Sequence, residues 1–251
     1  MINYVVYSHT DYIDILRVQT GELEGRGNLT LIINNSQDIH NIYSKYNKVL
    51  FYDDTKPYAT RLLQTLPLIE EDYFIFLHDI DIVLSVDNFI MNEFVEFLRR
   101  NNFDRICLQH TYNLESSLVV HYDNELALIK SCSVKDYIYN VNPSIWKKDT
   151  LIEIMANFPN ETYRSIEFNV QEFCLKYNIF KLHALRPLSC GWFICDKSFK
   201  FLHITHLGKL LPLNFESMTP SRQSYVDARD EYMKIYQKYN LQNANIKYFG
   251  D

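Results

Sequence analysis

The stretch Tyr73-Phe74-Ile75-Phe76-Leu77-His78-Asp79-Ile80-Asp81 constrains the fold more than any other part of the chain. Five apolar or aromatic residues run straight into two carboxylates separated by one residue. The run is short, rich in aromatics and ends at charge, which predicts a buried central strand rather than a helix. Side chains alternate along a strand, so Asp79 and Asp81 are expected on the same side of it. Two carboxylates at the carboxyl end of such a strand make a site for a hard divalent cation with an anionic group held across it.

The flanking sequence supplies the rest of a sheet. Asn3 to Ser8 predicts a first strand, and Asp11 to Leu23 a helix with Tyr12, Ile15, Leu16 and Leu23 on one side and Thr10 or Asp11 as its N-cap. Gly25-Arg26-Gly27 ends that helix. Leu29 to Ile33 and Lys48 to Tyr52 predict the second and third strands, and Pro57 opens a helix bearing Tyr58, Leu62, Leu63 and Leu66. Strands alternating with helices over short loops imply a parallel sheet with right-handed crossovers. No Gly-x-Gly-x-x-Gly follows the first strand, so the usual dinucleotide fold is not supported. The strand ends instead carry Ser8-His9-Thr10-Asp11, Asn34-Asn35, Asp53-Asp54 and Asp79-Ile80-Asp81. Ends of this kind face a common crevice in an open α/β sheet.

The second half reads as helix, strand and hairpin. Asp87 to Arg100 is amphipathic, with Phe89, Ile90, Phe94, Phe97 and Leu98 on one face. Arg105 to Gln109 predicts a strand, and Leu118 to Tyr122 with Glu125 to Ile129 a hairpin. Tyr137 to Val141 leads into Asn142-Pro143-Ser144-Ile145-Trp146, an extended entry to a helix that Asp149 caps and Pro159 ends. Trp146 at that position is weighed first as a core residue and second as the wall of a sugar pocket; Trp192, after Gly191, is read the same way. Ser165 is a candidate cap for a helix with Ile166, Val170, Phe173, Cys174 and Tyr177 inside it. Ile179 to Leu185 and Phe199 to Ile204 predict late strands, and Ser221 to Tyr239 a final helix. The expected architecture is a single α/β domain over 1–251, a mostly parallel central sheet flanked by helices with a small antiparallel portion in the second half. Its parts are 1–110 around a bound anionic group, 111–220 for a second substrate, and 221–251 as a C-terminal helix.

Composition limits the partners. Of 251 residues 47% are hydrophobic, enough for a sizeable core. A net charge of -6 with scattered basic residues argues against a nucleic-acid backbone or an anionic membrane surface. The amino terminus enters a strand pattern with no basic leader, and no stretch reaches membrane-span length, so a soluble cytoplasmic protein without a transmembrane segment is expected. Cys107, Cys132, Cys174, Cys190 and Cys195 are odd in number and are expected as free thiols, most of them buried.

Three further groups extend the acidic pair. Magnesium or manganese suits two carboxylates that leave positions for phosphate oxygens, with Asp79 and Asp81 as ligands. His203-Ile204-Thr205-His206-Leu207-Gly208-Lys209 offers an imidazole as third ligand, His206 being preferred over His203 because it lies nearer the Gly turn, and Lys209 could neutralise a departing diphosphate. Ser165-Ile166-Glu167-Phe168-Asn169 places a carboxylate in a first helical turn, where it can take a proton from a hydroxyl; complementing the helix dipole is the bland alternative, and Glu172 is the weaker candidate.

With these residues in place, the chain resembles nucleotide-diphospho-sugar transferases of the GT-A fold. The resemblance rests on Ser8-His9-Thr10-Asp11-Tyr12 after the first strand, the polar strand ends, Asp79-Ile80-Asp81 as an Asp-x-Asp motif, Ser165-Ile166-Glu167, and the loop from His203 to Lys209. It spans roughly residues 1–210 and is closest to small glycosyltransferases, including those of large DNA viruses and bacteria. It implies a UDP-sugar donor and a glycan or glycoprotein acceptor. Ser8, Thr10 and Asp11 would lie by the base, Asn34 and Asp53 by uracil or ribose, Asp79 at the ribose or a metal-bound water, and Asp81 on Mn²⁺ or Mg²⁺. Glu167 would be the base of an inverting transfer. Phe168 stands where commoner members carry a second acid after the glutamate, which leaves inverting against retaining open. The rivals are a nucleotidyltransferase, which would want a Gly-rich basic loop after the first strand, and a GT-A domain that binds sugar nucleotide or glycan without turnover.

Overall fold

The computed structural model describes residues 2–34, 40–110, 119–121, 126–184, 188–190, 193–195, 198–203, 205–206, 209–210 and 222–243. The elements run β1 (Asn3–Tyr7), α1 (Ile13–Leu23), β2 (Asn28–Asn34), α2 (His40–Tyr43), β3 (Lys48–Tyr52), α3 (Tyr58–Thr65), β4 (Tyr73–His78), β5 (Asp81–Val86) and α4 (Asn88–Asn101). Then come β6 (Arg105–His110), β7 (Val119–His121), β8 (Leu126–Lys130), β9 (Ser144–Lys147), α5 (Lys148–Asn157), α6 (Ile166–Asn169), α7 (Gln171–Cys174) and β10 (Ile179–Ala184). The last described elements are β11 (Leu188–Cys190), β12 (Phe193–Cys195), β13 (Phe199–His203), β14 (Thr205–His206), β15 (Lys209–Leu210) and α8 (Arg222–Lys238).

Nine strands form one sheet in the order β3-β2-β1-β4-β9-β6-β10-β8-β7, and β11-β12-β13-β5 form a smaller antiparallel sheet. In the large sheet only β8 and β9 run against the common direction. The expected α/β architecture, a mostly parallel sheet with a small antiparallel portion, is therefore the observed one.

Alternation along the central strands explains the layering. In β1, Tyr4 and Val6 face one core with Leu16 and Leu23 of α1 and Met91 and Phe94 of α4. Val5 and Tyr7 face the other, with Leu62 of α3 and Leu151 of α5. Both faces of β4 are buried in the same way, which is why its sequence reads as a continuous apolar run. Asp87 caps α4 by accepting from the N–H groups of Phe89 and Ile90. Gly25 takes φ +79 after α1, a left-handed turn that favours glycine. At the C-terminal end, Glu22 of α1 accepts from Lys238 at 2.7 Å and from the Tyr239 hydroxyl at 2.8 Å.

Several local expectations are corrected. Asp79 and Asp81 do not lie on one strand: β4 ends at His78, Asp79-Ile80 form a turn, and Asp81 begins β5. The Asp79 N–H still bonds Tyr7 O at 3.0 Å, so the ladder closes at Asp79 before the chain leaves for the second sheet. Neither Thr10 nor Asp11 caps α1; they form a 3-10 turn, Thr10–Tyr12, which the His9 ring caps. Asp149 lies inside the first turn of α5, whose N-cap is Lys147. Ser165 already has helical dihedrals and makes no cap bond; its hydroxyl pairs with Thr162 instead. β5 and β9 were not expected as strands. Trp146 is a core residue, buried in β9. Cys107 and Cys174 are buried free thiols and Cys132 is an exposed one; the side chains of Cys190, Trp192 and Cys195 lie outside the described residues. Among the described residues no helix is long and apolar enough to cross a membrane.

Candidate active site

The acidic turn sits at the carboxyl end of β4, beside the end of β1. Asp79 is 6% and Asp81 1% exposed. The Ser8 hydroxyl donates to Asp79 Oδ2 at 2.6 Å, and the N–H groups of Ile80 and His9 also donate to that carboxylate. Burial, and then the like charge of Asp81, outweigh these donors and push the Asp79 carboxyl up to about 7. Gln19 of α1 fixes the first residues of β5: its Nε2 donates to Asp81 O at 2.6 Å and its Oε1 accepts from Val83 N–H at 3.0 Å. Gln19 is a buried polar residue on the helix face that carries the core, and its only sequence signal is that position.

Glu167, in the first turn of α6, belongs to the same neighbourhood. The Val141 N–H donates to its Oε1 at 2.7 Å. The Tyr163 ring lies edge-to-face on the His78 ring at 5.1 Å. Burial raises the Tyr163 phenol well above its ordinary range, and the charges of Asp81, Glu167 and Asp79 raise it further. The charges of these three carboxylates, from distant parts of the sequence, thus all bear on one phenol. Burial, and then the charges of Asp79 and Asp11, raise the Tyr12 phenol above its ordinary range. Glu172 lies in the first turn of α7 and is exposed.

The other strand-end residues form a connected shelf. Thr10 and Asn34 pair reciprocally: the Thr10 N–H donates to Asn34 Oδ1 at 2.9 Å, and Asn34 Nδ2 donates to the Thr10 hydroxyl at 2.9 Å. His9 Nδ1 accepts from the Asp11 N–H at 3.0 Å, so its other nitrogen carries the proton and donates to Asp54 at 2.9 Å. The Asp11 carboxylate is exposed. Asp53 binds its own turn, accepting from the Thr55 N–H and hydroxyl, which lowers its carboxyl below the usual range. Arg61 of α3 spans Tyr7, the Asp54 carboxylate and the Tyr52 ring.

The late histidines have a backbone place only. The pairing of β13 with β5 sets His203 opposite Asp81, whereas His206 and Lys209 pair with each other in β14 and β15. The side chains of His203, His206 and Lys209 lie outside the described ones. Among the described residues no three His, Cys, Asp or Glu side chains converge on one metal position. Asp79 and Asp81 nevertheless supply the donor set a hard divalent cation takes: adjacent, buried, oxygen-bearing and mutually repelling.

Arg105 is the largest contributor that sequence reading missed. It is fully buried at the start of β6, stacked over Trp146 at 4.5 Å. It donates to Ile138 O at 2.8 Å, to Asn140 O at 2.9 Å and Oδ1 at 2.6 Å, and to the Ser144 hydroxyl. It thereby pins the segment that carries Val141 to Glu167.

The Asp79 carboxyl makes a pH-dependent contribution to stability. With a folded value near 7 against 3.8 when exposed, the native state holds this proton across a window in which the unfolded state has lost it. The stability it contributes is therefore complete below about pH 4 and lost as pH rises through 7. Asp79→Asn should gain on wild type by about 2–4 kcal/mol more at pH 8 than at pH 5 in metal-free urea unfolding. An equal difference at both pH values would refute the assignment.

No family model matches the chain, and no curated protein matches it in sequence. Solved structures match its fold. Staphylococcus aureus TarS matches over 98% of this chain and 41% of its own, at 12% identity and a TM-score of 0.50. A UDP-glucose pyrophosphorylase complexed with UDP-glucose matches over 93% of this chain and 99% of its own, at 14% identity and 0.46. A cytidylyltransferase from Leptospira borgpetersenii serovar Hardjo-bovis matches over 99% and 98%, at 11% identity and 0.48. The match to TarS shows a shared α/β fold.

Proposed function

We propose that this chain is a metal-dependent glycosyltransferase that moves a sugar from a nucleoside-diphosphate donor to a hydroxyl of a glycan or glycoprotein. The observation that carries the reading is the buried pair Asp79 and Asp81 at the carboxyl end of the central strand, with Glu167 tied through Val141 to His78, the residue before Asp79. Paired acids there suit a cation and a diphosphate, and a third acid nearby suits proton removal.

Asp79 and Asp81 would hold Mn²⁺ or Mg²⁺, with His203 or His206 as the imidazole to test for a third position. When bound, the cation supplies Lewis-acid stabilisation to the departing diphosphate. The base and ribose would lie over Thr10, Asn34 and Asp11, with Asp53 at the edge of that shelf; the Ser8 hydroxyl orients Asp79. Glu167 takes the proton of the acceptor hydroxyl while its oxygen bonds to the anomeric carbon, and the electron pair of the breaking C–O bond leaves on the diphosphate. Phe168 and Tyr137, exposed and in edge contact at 6.2 Å, rim the acceptor side of Glu167 and offer apolar ring faces to a sugar. UDP-sugars are the first donors to test, because the Asp-x-Asp resemblance implies them.

Titration calorimetry with UDP, with and without Mn²⁺, tests the common premise. Absence of metal-dependent binding to any nucleoside diphosphate would sink it. A screen of nucleotide-sugars for hydrolysis then separates the alternatives. Release of UDP from a UDP-sugar supports a glycosyltransferase. Pyrophosphate release from UTP and a sugar 1-phosphate would make the chain a nucleotidyltransferase, and binding with neither reaction would make it a binding domain.

A further inference from the structure

We propose that His78 is a positioning residue that couples the acidic turn to Glu167 through the backbone of Val141. The proposal rests on the reading of Glu167 as the base. His78 is the last residue of β4, directly before Asp79, and is 2% exposed. Its Nδ1 lies 2.8 Å from Val141 O. A carbonyl only accepts, so Nδ1 carries the proton and donates. Its Nε2 lies 2.9 Å from the Tyr58 hydroxyl, which therefore donates to the neutral ring. The Tyr58 phenol is held well above its ordinary range by burial, so it keeps the proton this bond needs. On the other side of the same α-carbon, the Val141 N–H donates to Glu167 Oε1 at 2.7 Å. Val141 is thus held at both of its backbone groups, by the Tyr58–His78 pair on its carbonyl and by Glu167 on its N–H.

Each member is held from outside the line. The His78 ring is packed edge-on by Tyr7, Phe76 and Tyr163 at 5.7, 5.2 and 5.1 Å. Gln171 clamps Tyr139, two residues before Val141, accepting from its N–H at 3.1 Å and donating to its carbonyl at 2.7 Å. Arg105 holds Ile138 and Asn140 from below. Donation into the Val141 carbonyl fixes the backbone of that residue, and with it the position of the N–H that holds the carboxylate. His78 is thus covalently joined to Asp79 at one end and hydrogen-bonded toward Glu167 at the other. It sets the distance between the acids that would hold the cation and the acid that would take the proton. Misplacing such a group by about 1 Å can cost about a hundredfold in rate.

The geometry allows a test by isosteric replacement. In His78→Asn the side-chain N–H falls where Nδ1–H was and still reaches Val141; in His78→Gln it falls at the Nε2 position and does not. Turnover is read as Mn²⁺-dependent hydrolysis of UDP-glucose, and binding as the Kd for UDP. His78→Gln should lower kcat about a hundredfold with Kd unchanged within twofold, and His78→Asn should recover at least tenfold of that loss. Equal losses in the two variants, or a loss in Kd matching that in kcat, would overturn the proposal. Tyr58→Phe, which removes one hydroxyl, should lower kcat about threefold and carries the test if His78→Gln fails to fold; no change there would count against it. The amide proton of Val141 gives a readout free of activity. Its NMR resonance should move upfield in His78→Gln and stay near the wild-type position in His78→Asn, and an unmoved resonance in both would overturn the coupling. If Glu167→Gln hydrolyses UDP-glucose as wild type does, the reading of the base fails while the Val141 resonance still decides the coupling.

Discussion

Asp81→Asn should lose about a thousandfold in kcat for UDP-sugar turnover while keeping its circular dichroism spectrum. The magnitude follows from the several kcal/mol that a bound cation contributes to a developing diphosphate charge, taken here as about 4 kcal/mol. Asp81 is buried and its backbone is fixed by Gln19, so an isosteric amide leaves the turn in place but removes one anionic donor. A second consequence distinguishes electrostatics from simple damage. The Asp81 charge adds to burial in raising Asp79, so its removal should lower the Asp79 carboxyl from about 7 while burial still holds it above the ordinary range. Carbon-detected NMR of the Asp79 side chain would follow that titration. Wild-type turnover in Asp81→Asn would remove this residue from the mechanism, and an unmoved Asp79 titration would refute the coupling.

Arg105→Met should cost about 3–5 kcal/mol of stability and lower the unfolding midpoint by about 10 °C. The guanidinium is fully buried, its donors go to neutral oxygens of Ile138, Asn140 and Ser144, and it stacks on Trp146. Removing it takes the guanidinium donor from those buried acceptors, of which Asn140 Oδ1 keeps the Asn142 N–H and the Ser144 hydroxyl keeps Asn142 O, and each buried group left unmet costs about 1–3 kcal/mol. Lysine should not rescue the loss, because one ammonium cannot reproduce a planar fork that serves three residues and a ring face. Because the same segment carries Val141, the variant should also lose turnover faster than it loses UDP affinity. Urea unfolding with matched m-values checks the stability; a cost under about 1 kcal/mol would show that the segment is held by something else.

The parts legible in the sequence are those with local signals. The run from Tyr73 to Leu77 identified the central strand because burial on both faces demands continuous apolar residues. The amphipathic stripe of Ile90, Phe94 and Leu98 with the Asp87 cap located α4 almost to the residue. Polar strand ends pointed to the crevice where Ser8, Thr10 and Asn34 are found. Other features had no local signal. β9 has four residues, Ser144–Lys147, and is a strand because it fills the slot between β4 and β6. The pairing of His203 opposite Asp81 depends on a partner more than a hundred residues away. Arg105, His78 and Gln19 read as ordinary polar residues, since their roles lie in acceptors contributed by other segments.

By itself the sequence determined the α/β class, the direction of the first four strands and the position of the acidic pair, because hydrophobic period and strand-end polarity are properties of neighbours along the chain. Tertiary structure alone decided that Asp79 and Asp81 meet across a turn between two sheets, and that Glu167 shares the field of both at Tyr163. It also decided that Val141, through its N–H and its carbonyl, joins Glu167 to His78. Hydrogen bonds between distant segments and the charge felt in a buried crevice depend on which strands lie side by side, and that is fixed only when the sheet closes.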